Sequence, residues 1–317
     1  MSLEVAHPCA LNRIGFVIGD EPNGAAMHAG ERARIRDAWT AFWRAPASRL
    51  QCIAGSAEVT QVLRERWTVF ANTLPANARV LDIGCGGGAA ARSLVAIRGD
   101  LHLTGIDFAR VPFATEPQIR LLSDTAMESM PFAIARFDAV ISQFGFEYGR
   151  IHKAARELAR VLAPGGTFSL VVHHAESSIV ATNRARLNAL LALQQDDMRA
   201  AFLSGSATAL AAEMSSLRRD HPGDTLVAEL VRVLPPRARM SGRERSTAWE
   251  AVEVALAPEQ AILEALDSCC VAPEELSGWL GPLQQFCTVT GISVLRKPSG
   301  RPIAWQIDGT QNAVCDA

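Results

Sequence analysis

The stretch Val80-Leu81-Asp82-Ile83-Gly84-Cys85-Gly86-Gly87-Gly88 constrains this chain more than any other, because it describes a strand running into a tight turn of bare backbone. β-favouring apolar residues lead to an acid, and glycine then takes four of the five positions from 84 to 88. Glycine reaches conformations closed to other residues and lets a ligand come close to the chain. A helix opening just after the turn would aim its free N–H groups at that ligand. Strand, turn and helix around a bound cofactor is the expectation.

An alternation of strand and helix comes next. Residues 79–83, 101–106, 118–122, 137–142 and 167–172 read as five strands, with helices over 89–97 and 151–162. Strands without strict polar alternation, separated by helices, indicate a parallel sheet covered on both faces. Ahead of it, 29–44 and 57–74 read as helices, the first with Ile35, Trp39, Phe42 and Trp43 on one face. Residues 1–23 read as a loose arm. Beyond 177 the chain turns alanine- and leucine-rich, with helical spacing at 180–201, 207–219, 225–233 and 246–265. Strand signal returns at 287–295 and 301–307. The expected division is an N-terminal arm and helical cover (1–77), an α/β core (78–176), a helical insertion serving as lid or dimerisation surface (177–283), and closing strands (284–317).

In an open parallel sheet ligands sit beyond the carboxyl ends of the strands. Asp82, Asp107, Asp124, Gln143 and His173 all gather at those ends. Two cofactor classes fit the glycines alone, since Gly84-Cys85-Gly86-Gly87-Gly88-Ala89 also satisfies the dinucleotide pattern Gly-x-Gly-x-x-Gly/Ala. Asp82 separates them. A carboxylate two residues before the first glycine repels a pyrophosphate and welcomes a ligand carrying ammonium and sulfonium charge.

The spelling Asp-x-Gly-x-Gly-x-Gly resembles the first motif of the class I S-adenosylmethionine-dependent methyltransferases. Leu103-Thr104-Gly105-Ile106-Asp107-Phe108 is similar to that family's second motif, and Ser123-Asp124-Thr125-Ala126 with Met130-Pro131-Phe132 after it to its adenine-holding segment. Phe137-Asp138-Ala139-Val140-Ile141-Ser142 resembles the family's fourth-strand motif. Arg160-Val161-Leu162-Ala163-Pro164-Gly165-Gly166-Thr167-Phe168 resembles its next helix, turn and strand. The likeness covers about 78–175. It implies a doubly wound, mostly parallel Rossmann-like α/β sheet and S-adenosyl-L-methionine as cofactor, with S-adenosyl-L-homocysteine as product. It places Asp82, Gly84, Cys85, Gly86 and Gly88 at the turn, Asp107 and Phe108 at the ribose, and Asp124, Thr125 and Ala126 at the adenine. Gln143 joins them from the fourth strand.

Methyl transfer needs a nucleophile brought to the methyl carbon and, where that atom carries a proton, a base to remove it. The loops after strands four and five supply the candidates. Phe144, Phe146 and Tyr148 (the chain's only tyrosine) could wall an acceptor pocket, and Glu147 could serve as base. His173 and His174 end strand five, and because neighbours on a strand face opposite ways, at most one points into the site. His173-His174-Ala175-Glu176 has no common metal spacing, so no metal is expected.

A net charge of −2 offers no general attraction for nucleic acid or an anionic membrane. No stretch is apolar enough to span a bilayer. Seven cysteines without regular spacing suit buried thiols in a reducing cytoplasm. The expected activity is transfer of a methyl group to a small-molecule acceptor. A cofactor-binding protein that transfers nothing, acting as sensor or partner subunit, and an NAD(P)-dependent oxidoreductase are the alternatives.

Overall fold

The computed structural model describes residues 29–44, 57–112 and 114–312, so the arm expected over 1–23 lies outside the described residues. Among these, seven strands form one sheet: β1 (Arg79–Ile83), β2 (His102–Ile106), β3 (Ile119–Leu122), β4 (Phe137–Gln143), β5 (Leu162–His173), β6 (Cys287–Arg296) and β7 (Pro302–Gln311). Their order is β3-β2-β1-β4-β5-β7-β6. β1 to β5 run parallel, and β7 is antiparallel between β5 and β6. The strand order reverses at β1, with β2 on one side and β4 on the other, which opens a crevice at the carboxyl end of β1.

β1 explains why the sheet is covered on both faces. Val80 packs into a core with Trp67, Phe70 and Leu94, while Leu81 and Ile83 pack into a second core with Leu158, Trp279 and Leu283. The first core is closed by α2 (Ala57–Thr73) and α3 (Ala89–Ile97), the second by α4 (Ile151–Val161) and α10 (Leu276–Gln284). The 3.6-residue spacing of Ile151, Ala154, Ala155, Leu158 and Val161 gives α4 its buried face.

Between β5 and α10 stand α5 (Ser178–Leu193), α6 (Asp196–Ser204), α7 (Ala207–Asp220), α8 (Thr225–Arg237) and α9 (Gly242–Cys269). They share a third core in which the Phe202 and Trp249 rings lie 5.3 Å apart. The helix expected over 180–201 is two helices. Gln195 is extended, and Asp196 and Asp197 open a new first turn, where acids favour the N-terminal dipole. The helix expected over 246–265 is longer at both ends. It begins at a capping box in which the Ser241 side chain accepts from the Glu244 N–H and Glu244 returns to the Ser241 N–H. α10 has no counterpart in the sequence expectation.

α9 lays its last turns against a cavity at the carboxyl edge of the sheet. There it meets α1 (Ala29–Arg44), and Arg34 bonds Glu264 at 2.9 Å. No helix among the described residues is long and apolar enough to cross a membrane.

Candidate active site

The chain after β1 makes the turn that the glycines require. Gly84 and Gly86 stand at φ +66° and +48°, in the left-handed region that other residues enter only under strain. A Cβ on Gly84 would come within 2.8 Å of the Gly145 Cα, and one on Gly86 would strike the Trp43 ring. The backbone at this turn is therefore in close contact with β4's exit on one side and with α1 on the other.

A cavity of about 770 Å³ opens there. Its walls include Asp82 and residues 84–87 from the turn, Asp107 and Phe108 after β2, Thr125, Met127 and Glu128 after β3, and Gln143, Phe144, Glu147 and Tyr148 after β4. α1 contributes Ile35, Trp39 and Trp43, and the end of α9 contributes Glu264, Asp267 and Cys269. This volume lies in the upper part of the roughly 300–1,000 Å³ typical of ligand pockets.

Asp82 is 1% exposed; the Ala91 amide lies near it, but neither carboxylate oxygen has a hydrogen bond of good geometry among the described residues. Burial pushes its acid up to about 8, with the Ala91 amide pulling the other way and the Asp107 charge adding to the rise. An orphaned carboxylate at the wall of a cavity is answered by a cation. Asp107 is half-buried. Its two oxygens accept from the N–H groups of Gly86 and Ala109, both at 2.8 Å, and burial raises it to about 6 against those two bonds. Each oxygen keeps a second lone pair free for a ligand hydroxyl. Trp67 Nε1 donates to Gln143 Oε1 at 2.6 Å, which turns the two amide N–H donors of Gln143 the other way. A cation site, a hydroxyl-accepting acid and a close glycine backbone fit the ammonium, sulfonium and ribose of S-adenosylmethionine.

At the other end, Glu147 sits on a 3₁₀ turn, Phe146–Tyr148. Its side chain is 0% exposed. Glu147 Oε1 accepts from the His173 backbone N–H at 2.9 Å and meets the His173 Nδ1 at 2.7 Å. Glu147 Oε2 has no partner among the described residues. The Phe144 ring lies 4.4 Å from the His173 ring, and Trp39 meets Tyr148 edge-on at 5.9 Å. Phe144 itself stands at φ +56°, a strained conformation for a bulky residue. Burial lifts the Cys269 thiol well above its ordinary range, with the Glu147 charge adding to it, so the thiol stays protonated.

Asp82, Gly84, Cys85, Gly86, Asp107, Phe108, Thr125, Gln143, Phe144, Glu147 and Tyr148 thus meet in one cavity. Six other expected residues stand elsewhere. Gly88 caps α3, and Ala126 is outside the lining. Asp124, at φ +52°, turns outward and accepts from Arg110 Nε at 3.1 Å. Phe146 packs in the core edge-on to Trp279, because the 3₁₀ turn points it away from Phe144. His173 lies behind Glu147 and Phe144 and off the lining. His174 stacks on Trp305 at 4.4 Å on the far side of the strand, and burial holds it below its usual range. Trp39, Trp43, Glu128 and the end of α9 were missing from the expected site. The aromatic face of α1 was the available signal for the two tryptophans; nothing in the spacing of α9 marks its last turns. Among the described residues no group of three or more His, Cys, Asp or Glu could hold a metal ion.

Residues 81–170 match the family model described as a methyltransferase domain. No curated protein matches the chain. Several solved structures do. The Burkholderia thailandensis 1,6-didemethyltoxoflavin-N1-methyltransferase, with 1,6-didemethyltoxoflavin and S-adenosylhomocysteine bound, is 11% identical over 92% of this chain and 94% of its own, with a TM-score of 0.49. A chain from the complex of a Haloferax volcanii methyltransferase activator with a methyltransferase is 26% identical over 36% of this chain, which spans 56% of that one, at a TM-score of 0.31. An S-adenosylmethionine-dependent methyltransferase of Methanosarcina mazei is 14% identical over 78% of this chain and 98% of its own, at 0.40.

Proposed function

We propose that this chain, whose residues 81–170 match a methyltransferase domain, transfers a methyl group from S-adenosylmethionine to a nucleophilic atom of a small-molecule acceptor, with Glu147 as the base. One observation carries the reading: Asp82, Asp107 and Glu147 all line a single cavity, and Asp107 accepts from two backbone N–H groups with lone pairs to spare. Bound S-adenosylmethionine supplies a methyl carbon on positively charged sulfur. Asp82 faces the positive charge, Asp107 accepts the ribose hydroxyls, and the Gln143 amide donates to a carboxylate. His173 holds Glu147 by Oε1 and leaves Oε2 for the acceptor's proton. General-base assistance of this kind is worth about 10²–10⁴ in rate.

Partial cover supports the small-molecule reading. α1 and α9 meet at the cavity, and Arg34 bridges to Glu264 between them. The acceptor, on this reading, sits in the volume that remains beside the cofactor. On this reading the insertion is a lid, since α9 lines the cavity, and its exclusion of water strengthens every charge inside.

The test is incubation with S-adenosylmethionine labelled in its methyl group and a size-fractionated metabolite extract. Label should appear in the small-molecule fraction. Label in protein or nucleic acid, or none in any fraction, refutes the proposal.

A further inference from the structure

Trp67, on α2, is fully buried, and a buried indole N–H needs an acceptor. It finds one in Gln143 Oε1 at 2.6 Å, 76 positions away in sequence. An indole can only donate, so this bond admits one orientation of the Gln143 amide and refuses the flipped one, which would set N–H against N–H. Packing holds the indole in place: it shares a core with Val80 and Leu94, and the Phe70 ring meets it edge-on at 6.2 Å. The other end of the amide is unspent. Gln143 Nε2 has no protein acceptor among the described residues and is not sealed from open space, and the open space beside half-buried Gln143 is the cavity it lines. What meets these N–H groups is set by the neighbouring strand. Asp82 on β1 is paired with Ile141 on β4, so Gln143, two residues on, shares a face of the sheet with Asp82. A buried carboxylate and a pair of N–H donors thus stand on adjacent strands of one cavity wall. A zwitterionic α-amino acid answers both, its ammonium at Asp82 and its carboxylate at Gln143.

Resting on the methyltransferase reading, we infer that Trp67 is a positioning residue for the cofactor: by holding Gln143 Oε1 it aims the amide N–H groups at the carboxylate of the cofactor's amino-acid end. Trp67 is not part of the cavity lining, so it acts through Gln143. Without the indole the amide is free to flip, and its oxygen then faces the carboxylate as readily as its N–H groups do, which sets repulsion against attraction.

The experiment is a calorimetric titration of the full chain with S-adenosylhomocysteine and with its decarboxylated analogue, which lacks only the carboxylate. The parent protein should favour S-adenosylhomocysteine by about tenfold or more, the worth of hydrogen bonds to a charged group. Trp67→Phe should shrink that preference to about threefold or less, with the analogue's own affinity unchanged. Gln143→Leu should shrink it at least as far, and adding Trp67→Phe to Gln143→Leu should take away nothing more. A merely structural tryptophan would weaken both ligands alike and leave their ratio as it was. A preserved ratio in Trp67→Phe, a further loss of preference in the double variant, or equal affinities in the parent overturns the inference. Where Trp67→Phe fails to fold, Gln143→Leu still decides: a variant that keeps the parent's preference overturns it. Should S-adenosylhomocysteine bind without any preference over the analogue, the positioning role is wrong and the methyltransferase reading survives; should S-adenosylhomocysteine fail to bind, that reading fails first.

Discussion

At one end of the cavity the walls come from β1, β2, β4 and the turns at their carboxyl ends, all within residues 82–143. At the other, α1 reaches α9 across 230 positions, from Arg34 to Glu264. The first end is made of backbone and of acids held by amides, as Asp107 is by Gly86 and Ala109. The second is made of side chains resting on side chains: Trp39 on Tyr148, Phe144 on His173, Glu147 on His173. A wall of backbone keeps its shape whatever its neighbours become, whereas a wall of side chains is remade by each substitution. The cofactor end thus suits a ligand common to many enzymes, and the acceptor end suits one that differs between them. Each end holds buried carboxylate oxygen without a hydrogen-bond partner of good geometry among the described residues, on Asp82 at one and at Glu147 Oε2 at the other.

The sharpest break between the ends is Glu147→Gln, which keeps the side chain's shape and removes its charge. Turnover of any identified acceptor should fall about a hundredfold or more, while the dissociation constant of S-adenosylhomocysteine, read by calorimetry, marks the cofactor end as intact. Equal loss in both measurements would merge the two ends into one.

Asp107→Ala attacks the other end. Losing the ribose acceptor should weaken S-adenosylhomocysteine by roughly 2–3 kcal/mol, or thirtyfold to a hundredfold, since bonds to charged groups are worth about 1.5–3 kcal/mol. Unchanged affinity refutes the role given to Asp107.

Asp82 makes the cofactor end pH-dependent. With its folded value raised to about 8 from 3.8, the folded protein binds more protons than the unfolded chain between those limits. Unliganded stability from this group is therefore fully present below about pH 4 and is lost as pH rises through about 8. Affinity for the cationic cofactor runs the opposite way. It should fall by up to about tenfold per unit on acidification below about pH 8, because the cation needs the carboxylate ionised. Calorimetry at about pH 7.5 and pH 6, with Asp82→Asn alongside, checks this: the variant should lose the slope, and a slope that persists assigns it to another group.

The smallest effect is expected where the two helices touch. The Arg34–Glu264 pair is partly exposed on both sides, so Arg34→Ala should change stability by less than about 1 kcal/mol in thermal unfolding. A larger loss would mean that the α1–α9 closure depends on that ion pair more than on apolar packing.

The same contrast decides what the sequence reveals. Positive φ at Gly84 and Gly86, acids at strand ends and apolar runs between helices are local facts, so the turn, the acids at the ends of β1 and β2, and the succession of β1 to β5 along the chain are readable in the sequence. Where expected site residues lie off the cavity, the local geometry is irregular. Asp124 sits where a strand end should aim it inward, yet its left-handed backbone turns it out to Arg110. Phe144 and Phe146, two apart, look alike in sequence, and a left-handed Phe144 leading into a 3₁₀ turn separates them into wall and core. Strand alternation correctly divides His173 from His174 but hides that His173 acts on Glu147 rather than in the open cavity. α9 is beyond reach of any local rule, since alanine-rich helical spacing does not say which turn crosses 230 positions to meet α1.

The most direct test of the account is a calorimetric titration of the folded chain with S-adenosylhomocysteine and, separately, with NADH. One site for S-adenosylhomocysteine and no heat from NADH is the predicted result. NADH binding, or a well-folded protein that ignores S-adenosylhomocysteine, would contradict it.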